Sequence, residues 1–259
     1  MYHEIYRADE ADHLKGLTNP AYNTEMNVFQ KQMDYLYAKR IKTLTIDELF
    51  LREFSSQGEG AVCLTFDDGW RGNYLHAYPV LQEYGLKATF FIATDLIGKP
   101  FYMTWEDIKE IAASGMSIQS HTVTHRPLPH MEGERVLFEL SESKRVIEER
   151  LGQEVRHLSL PHGIKDDRIW NLAQGIGYKS ICTSDVGFQT SENNGPWLKR
   201  INIGDKISLN QFHLITQGRN HAIFGMRVTK KLKNIVRGLI GISNYYKFYR
   251  WIFAKKVET

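Results

Sequence analysis

The feature that most constrains the fold is a regular alternation of apolar, strand-like runs with helix-like segments between residues 61 and 182. Two of the intervening segments, "TWEDIKEIAASG" and "EGERVLFELSESKRVIEERLG", have the apolar spacing of amphipathic helices. Strands that alternate with helices pair in parallel, because each helix returns the chain to the same end of the sheet. The chain has 259 residues, enough for one α/β barrel or two small domains. We therefore predict an α/β protein with a parallel sheet, whose strands are "AVCLTF", "LKATFFIA", "MSIQS", "VRHLSL" and "YKSICTS".

Residues suited to helix caps mark several of the helix ends. Thr45 and Thr104 precede helical patterns and can accept hydrogen bonds from free backbone N–H groups, so we predict them as N-caps. Gly115 and Gly152 follow helical patterns and suit the left-handed conformation that ends a helix. These positions support helices over 104–115 and over the segment that ends at 152.

Two adjacent aspartates follow the first apolar run, in the stretch "LTFDDGW" at residues 64–70. An Asp-Gly pair is also a common turn signal, so Asp67 and Asp68 alone do not define a site. In a parallel barrel, however, residues that follow strands gather at one rim. His121 follows "MSIQS", and "PHG" at 161–163 follows "VRHLSL". We therefore expect the aspartates to meet these residues at the rim.

The stretch "SHTVTH" places His121 and His125 four residues apart, an arrangement common in metal sites. Simple packing or capping of one or both histidines is an equally good interpretation of the pair alone. Two histidines and one carboxylate would make a three-ligand site that leaves positions open for water and substrate, as catalytic zinc sites do. The second carboxylate would then be free to act as a base.

Three motifs in this order, "TFDDG", "SHTVTH" and "LSLPHG", resemble the polysaccharide deacetylase family that shares the NodB homology domain, and in particular its exopolysaccharide-type members. The resemblance runs from about Tyr2 to about Ile201. It implies a distorted (β/α) barrel. Because relatives have a strand before the segment that corresponds to "MYH", the resemblance also suggests that the first barrel strand or an export segment is lacking.

The resemblance further implies the roles of the four polar residues. Asp68, His121 and His125 would bind a divalent metal, with zinc preferred, and Asp67 would be the catalytic base. The reaction implied is hydrolysis of an N-acetyl group on an amino sugar of a polysaccharide or glycan precursor, which releases acetate and a free amine. Hydrolysis of another amide or of a cyclic imide is an alternative, and so is an inactive carbohydrate-binding protein of the same fold.

The third motif departs from the family pattern at one position. Ser159 stands two residues before Pro161, where the family usually carries an arginine, which puts in question how Asp67 is tuned. Pro161 and Gly163 still match the motif and would line the substrate site. The backbone N–H of His162 is suited to stabilise an oxyanion.

The sequence alone does not identify the residue that protonates the leaving amine. His162 is nearest the site by motif, and we assign it as the catalytic acid, with His213 and His221 as further candidates. His3 could instead be a buried histidine near the pocket. Arg200, in "LKRI", is assigned to substrate binding; contact with the base and a purely structural role are its alternatives.

The last 34 residues differ from the rest in charge. Residues 226–259 carry nine Lys or Arg and one acidic residue, against 24 basic and 29 acidic residues before them. We therefore divide the chain into a barrel, 1–225, and a tail, 226–259. The tail begins with a basic amphipathic helix, Val228 to Ile240, and continues with the aromatic run "YYKFYRWIF".

This composition predicts peripheral contact of the tail with an anionic membrane, whereas packing of the same segments on the barrel is the alternative. We expect no nucleic-acid partner. No segment has the pattern of a signal peptide or a membrane span, which predicts a cytoplasmic location at the inner face of the membrane.

Overall fold

The computed structural model describes residues 1–51, 60–190 and 195–240. One parallel sheet of six strands dominates it, and its strands are neighbours in chain order. A separate parallel pair precedes this sheet. The predicted α/β alternation is therefore confirmed. The pair consists of β1 (Ile5–Tyr6) and β2 (Thr24–Glu25), and the sheet of β3 (Leu64–Phe66), β4 (Ala88–Ile92), β5 (Ser117–Ser120), β6 (His157–Ser159), β7 (Ser180–Cys182) and β8 (Trp197–Leu198).

Helices connect and flank these strands, and the predicted caps agree with them closely. Thr104 accepts a hydrogen bond from the backbone of Asp107, and Gly152 ends its helix with φ of 66°. Ser114 rather than Gly115 is the last cap of the other helix, a difference of one residue. The helices are α1 (Met26–Ala38), α2 (Ile46–Leu51), α3 (Tyr78–Glu83), α4 (Trp105–Ala113), α5 (Gly133–Leu151), α6 (Asp167–Gly175), α7 (Leu209–Thr216) and α8 (Phe224–Ile240).

The first two residues join the two edges of the curled sheet. The backbone N–H of Tyr2 donates to Thr65 in β3 at 2.8 Å, and the N–H of Asp67 donates to Tyr2 at 3.1 Å. The carbonyl of Met1 accepts from Ile203, which follows β8, at 2.9 Å. In place of a regular first strand, this short segment thus lies between β3 and the chain after β8, and it completes a distorted barrel of the predicted kind.

A stack of aromatic rings fixes β3 within the core. Phe66 stacks on Phe90 with ring centroids 4.8 Å apart and on Tyr2 at 5.4 Å, and Phe29 of α1 meets the edge of Tyr2 at 5.2 Å. All four side chains are buried. Burial of each such side chain contributes about 1.5–3 kcal/mol, so the end of β3, where Asp67 begins, is firmly held.

Helix α8 contains the amphipathic segment predicted from Val228 to Ile240, and it leaves its apolar side uncovered by the described residues. The exposed apolar side chains of this helix are Phe224, Val228, Leu232, Ile235, Val236 and Leu239. The aromatic run at 245–253 lies outside the described residues. Among the helices that the structure describes, none combines the length and the apolar character needed to cross a bilayer.

Candidate active site

Three side chains converge at the carboxyl end of the sheet. The Oδ1 atom of Asp68, just after β3, lies 3.1 Å from Nε2 of His121 and 3.1 Å from Nε2 of His125. One potential ligand atom from each of the three residues lies within 4.8 Å of the other two. The three residues that the family resemblance assigns to the metal therefore lie together at the carboxyl end of the sheet, as expected for residues that follow parallel strands.

The four-residue spacing of the histidines works without a helical turn. Strand β5 ends at Ser120, and positive φ values of 69° at Thr122 and 58° at His125 reverse the chain. Asp68 also has a positive φ, 75°. Non-glycine residues adopt this conformation only where the surroundings hold it, and such residues cluster at functional sites.

A buried glutamate from α5 holds the segment between the two histidines. Glu139 accepts hydrogen bonds from the backbone N–H groups of Val123, at 3.0 Å, and Thr124, at 2.8 Å, and one from the Thr124 hydroxyl. Arg135, one turn earlier in α5, pairs with the same carboxylate at 3.0 Å. Sequence reasoning missed Glu139, because a glutamate in an amphipathic helix is usually solvated.

The tautomer of His121 suits a metal ligand. Its Nδ1 lies 2.7 Å from the carbonyl oxygen of Ser159. A carbonyl only accepts, so Nδ1 carries the hydrogen and Nε2 presents its lone pair towards Asp68. The indole N–H of Trp70 donates to Asp68 Oδ2 at 2.9 Å, which fixes the carboxylate and leaves Oδ1 facing the histidines.

This donor set fits a divalent metal. Asp68 Oδ1 is buried and has no hydrogen-bond donor among the described residues, although it faces two imidazole nitrogens. Burial raises the pKa of Asp68, but the nearby His125 and His121 outweigh burial and hold the pKa well below its usual range. One ionised carboxylate oxygen and two imidazole nitrogens are the ligands of many catalytic zinc sites.

The neighbouring carboxylate, Asp67, is held by an arginine that follows β8, the opposite edge strand of the sheet. Arg200 donates from Nη1 to Asp67 Oδ1 at 2.7 Å and from Nη2 to Oδ2 at 2.8 Å. The hydroxyl of Ser159 donates to Oδ2 at 3.0 Å and accepts from Arg200 Nη2 at 2.7 Å. The arginine that the third motif lacks at Ser159 is thus replaced by one that follows β8.

These contacts decide the protonation state of Asp67. Burial is the largest single influence and raises the pKa of this carboxyl, but the charge and hydrogen bonds of Arg200, together with His121 and His3, outweigh burial, and the pKa falls to about 2. Asp67 is therefore ionised throughout the neutral range. It also lies outside the Asp68 cluster, so it is available for a different task.

The described contacts of Arg200 are all with protein acceptors, and two of them are with Asp67. Its Nε donates to the carbonyl of Thr183 at 3.1 Å, and the remaining Nη1 hydrogen points to the hydroxyl of Thr65 at 3.5 Å. With the contacts to Asp67 and Ser159, all five N–H donors meet protein acceptors. These contacts are the ones expected from the alternative role of Arg200, contact with Asp67, and its assignment to substrate binding stays a prediction.

The turn Pro161–Gly163 follows β6 beside the histidines. The His162 ring is exposed, its centroid lies 5.5 Å from that of His125, and its φ is 61°. A Cβ on Gly163 would come within 1.9 Å of Ser184 Oγ, so only glycine fits there. The turn lies where the motif predicts, with the His162 ring towards solvent.

The other histidines considered in the sequence analysis lie in different surroundings. His213 stacks on Tyr35 of α1 at 3.6 Å, and His221 is exposed next to α8. His3 is half-buried, and its Nδ1 atom has no hydrogen-bond partner among the described residues. Burial lowers the pKa of His3, while the charges of Asp68 and Asp67 raise it. His3 follows Tyr2, whose carbonyl accepts from Asp67 N–H at 3.1 Å, so its backbone lies beside Asp67.

A curled parallel sheet with this polar cluster at its carboxyl end defines an α/β-barrel hydrolase. Comparison with known proteins agrees. A family model described as polysaccharide deacetylase matches residues 55–181. YxkH of Bacillus subtilis (strain 168), named as a putative polysaccharide deacetylase, is 32% identical over 186 residues, which cover 71% of this chain and 67% of that protein.

Two further proteins extend the comparison. The poly-beta-1,6-N-acetyl-D-glucosamine N-deacetylase of Staphylococcus aureus (strain MRSA252) is 22% identical over 71% of this chain and 69% of its own. The structure of the Streptococcus pyogenes deacetylase PplD in complex with acetate superposes with a TM-score of 0.75 and 27% identity, over 85% of this chain and 96% of that one. The chain belongs to the polysaccharide deacetylase family, and it is a deacetylase enzyme of that family.

Proposed function

We propose that this enzyme removes N-acetyl groups from amino-sugar units of a polysaccharide or its precursor. The observation that carries the proposal is the separation of two adjacent aspartates. Asp68 faces His121 and His125, whereas Asp67 faces Arg200 and Ser159. These different surroundings support a role for Asp68 in binding a cation and a role for Asp67 in accepting a proton.

We assign Asp68, His121 and His125 as the residues that would hold the divalent metal, with zinc preferred for this donor set. A divalent metal there supplies Lewis acidity, which polarises an amide carbonyl and lowers the pKa of water. The ligands are prepared for this role by Trp70, which fixes the Asp68 carboxylate, and by Ser159, which fixes the His121 tautomer.

Asp67 is the proposed general base. Its carboxylate is ionised, and Arg200 holds its plane through two hydrogen bonds, so the orientation is set before substrate binds. A carboxyl with a pKa of about 2 is a weak base, so it suits a reaction in which the attacking water is already acidified. Asp67 would take the proton from that water as it attacks the acetyl carbonyl.

The leaving amine must receive a proton before the C–N bond breaks. His3 and His162 are the two candidates that lie near the cluster. His3 is preferred because it follows Tyr2, which pairs with Asp67, and because its buried Nδ1 atom has no hydrogen-bond partner among the described residues, whereas His162 contributes its backbone N–H to the oxyanion in our proposal. Pro161 and Gly163 shape the same turn and form the adjacent wall of the substrate site.

Acetate release tests the proposed function. Purified enzyme is incubated with N-acetylated oligosaccharides, beginning with β-1,6-linked N-acetylglucosamine because a relative is named for that polymer. Equal amounts of acetate and new free amine are expected, with loss of activity in chelator and recovery on zinc addition. Absence of acetate from every N-acetylated glycan, under conditions where zinc is bound, would contradict the proposal.

We further propose that α8 contacts an anionic membrane surface from the cytoplasmic side. Its exposed apolar residues would enter the headgroup boundary, and the basic residues would meet anionic lipids, each worth about 1 kcal/mol near the surface. The exposure of Leu232, 58%, and Leu239, 81%, supports this interpretation over packing on the barrel. The basic residues of α8 are Arg227, Lys230, Lys231, Lys233 and Arg237.

A further inference from the structure

Strands β5 and β6 both lead into the candidate site, yet they pair with each other at a single position. Ser120 of β5 pairs with Leu158 of β6, whereas β4 and β5 pair at four positions and β6 and β7 at three. His121 follows β5 directly, and Ser159 is the last residue of β6. Because the ladder is so short, the separation of the two strands depends on contacts made by side chains.

At the carboxyl end of the two strands, the connecting contact is made by His121. Its Nδ1 donates to the carbonyl of Ser159 at 2.7 Å. The hydroxyl of the same serine donates to Asp67 at 3.0 Å and accepts from Arg200 at 2.7 Å. A change in the separation of β5 and β6 would therefore move the His121 ring away from the carbonyl that fixes its tautomer.

At the amino end, the side chain of Gln119 connects the same two strands. Its Oε1 accepts from the backbone N–H of Arg156 at 2.9 Å and from the N–H of His157 at 2.8 Å. Gln119 is 2% exposed, so both hydrogen bonds are shielded from water. Gln119 lies two residues before His121, and side chains two apart in a strand lie on the same face of the sheet. Gln119 and His121 thus join β5 to β6 from one face, at opposite ends of the short ladder.

Helix α2 anchors the Gln119 amide. Gln119 Nε2 donates to Asp47 Oδ2 at 3.2 Å and to Ser117 Oγ at 3.0 Å. Ser117 Oγ donates to the same Asp47 oxygen at 2.5 Å, and His157 Nε2 lies 3.3 Å from Asp47 Oδ1. Asp47 therefore contacts both strands, and it orients the Gln119 amide so that Oε1 faces the start of β6.

We propose that Gln119 is a positioning residue for the metal site. By holding the start of β6 against β5, it keeps the Ser159 carbonyl within reach of His121 Nδ1, which leaves the lone pair of Nε2 directed at Asp68. A close-packed interior transmits such a shift along the strands rather than absorbing it. The inference rests on the proposed function for the identity of the ligand, a divalent metal, whereas the contact between His121 and Ser159 can be measured without metal.

The tautomer of His121 in the metal-free protein tests this role. NMR of protein with isotopically labelled histidine, at mildly alkaline pH, distinguishes an Nδ1–H ring from an Nε2–H ring, and His121→Ala identifies the signals. Wild type should show the Nδ1–H form. Gln119→Met keeps the length of the side chain but removes both amide groups, so it should show a mixture of tautomers. Its zinc affinity, measured by competition with a zinc-binding dye, should fall about tenfold.

A double variant and a control separate positioning from general loss of stability. Gln119→Glu combined with Asp47→Asn exchanges acceptor and donor between the two side chains, so it should regain the wild-type tautomer and zinc affinity. Thr89→Val removes a buried hydroxyl of β4 that accepts from Ile46 N–H of α2 at 2.9 Å. This control disturbs another contact between α2 and the sheet and should change neither measurement.

Asp47→Ala is the second test, for the case that Gln119→Met does not fold. Its side chain is 25% exposed, and its loss should shift the tautomer and the zinc affinity in the same direction to a smaller extent. An Nε2–H ring in wild type, unchanged values in the folded variant, or an equal loss in Thr89→Val would overturn the role of Gln119. Mixed tautomers in Gln119→Met would support it even if wild type released no acetate, so the two proposals can fail separately.

Discussion

Arg200 and Asp67 form a two-point ion pair at 2.7 and 2.8 Å although 133 residues separate them in the chain. Asp67 follows β3 and Arg200 follows β8, the two edge strands of the sheet. The pair therefore forms only when the sheet curls and its edges approach. The base of the proposed reaction is thus oriented by closure of the barrel itself.

Replacement of Arg200 should shift the pH dependence of activity. Asp67 acts when ionised, so activity is lost as the pH falls through its pKa. Since the guanidinium lowers that pKa, Arg200→Gln should move the acid limb of the kcat/KM profile to higher pH. Arg200→Lys keeps the positive charge but can make only one of the two hydrogen bonds to Asp67. It should therefore lower kcat and shift the acid limb of the profile less than Arg200→Gln does. Folding of each variant is checked by circular dichroism.

Arg71→Gln changes an exposed arginine near the same strand and is the control for the profile. An acid limb at the same pH in wild type and Arg200→Gln, with both proteins folded, would show that Arg200 does not set the pKa of the base.

Replacement of Glu139 should loosen the histidine segment. In Glu139→Gln an amide N–H₂ replaces one acceptor oxygen, so either both backbone donors, Val123 and Thr124, or Arg135 lose an acceptor, at a cost of about 1–3 kcal/mol in the free energy of unfolding. Zinc affinity should fall roughly 10- to 100-fold, as for other residues that orient ligands. Chemical denaturation and competition with a zinc-binding dye measure the two effects. Glu142→Gln, on the same helix, should change neither, and equal zinc affinity in Glu139→Gln and wild type would refute the role.

The acid can be identified by the dependence on the leaving group. An amide needs a proton on its nitrogen, whereas an aryl acetate with an acidic phenol does not. We expect His3→Gln to lose roughly 100- to 10,000-fold in kcat on the N-acetyl substrate and little on the aryl acetate. His162→Gln should affect both substrates to a similar, smaller extent. The opposite pattern would assign the acid to His162.

The exposed face of α8 can be tested in the full-length chain. Vesicle co-sedimentation should show binding to anionic but not to neutral liposomes, and binding should weaken as salt rises. Leu232→Asp with Leu239→Asp places charges on the apolar face without disturbing described contacts and should abolish binding. Binding that persists in this variant, or that is absent in wild type at low salt, would exclude α8 as the contact.

The parts of the site that follow strands were accessible from the sequence. Asp67, Asp68 and His121 come directly after β3 and β5, so their meeting follows from a parallel sheet alone. The fold class followed from the same alternation of strands and helices. Ser159, at the position where the family usually carries an arginine, also raised the question of which residue holds Asp67.

Other parts depend on packing that no local pattern encodes. The Arg200 contact needs the sheet edges to meet, and Glu139 is buried only because α5 covers the histidine segment. Such features arise from contacts between distant residues, so local propensity does not predict them.

The division of labour between Asp67 and Asp68 is tested most directly by zinc content and acetate release measured together. Asp67→Asn should retain zinc by elemental analysis and release acetate roughly 100- to 10,000-fold more slowly, because it removes the base but no ligand. Asp68→Asn and His121→Ala should lose or weaken zinc along with activity. Loss of zinc in Asp67→Asn with full zinc in Asp68→Asn, or wild-type acetate release by Asp67→Asn, would contradict the account.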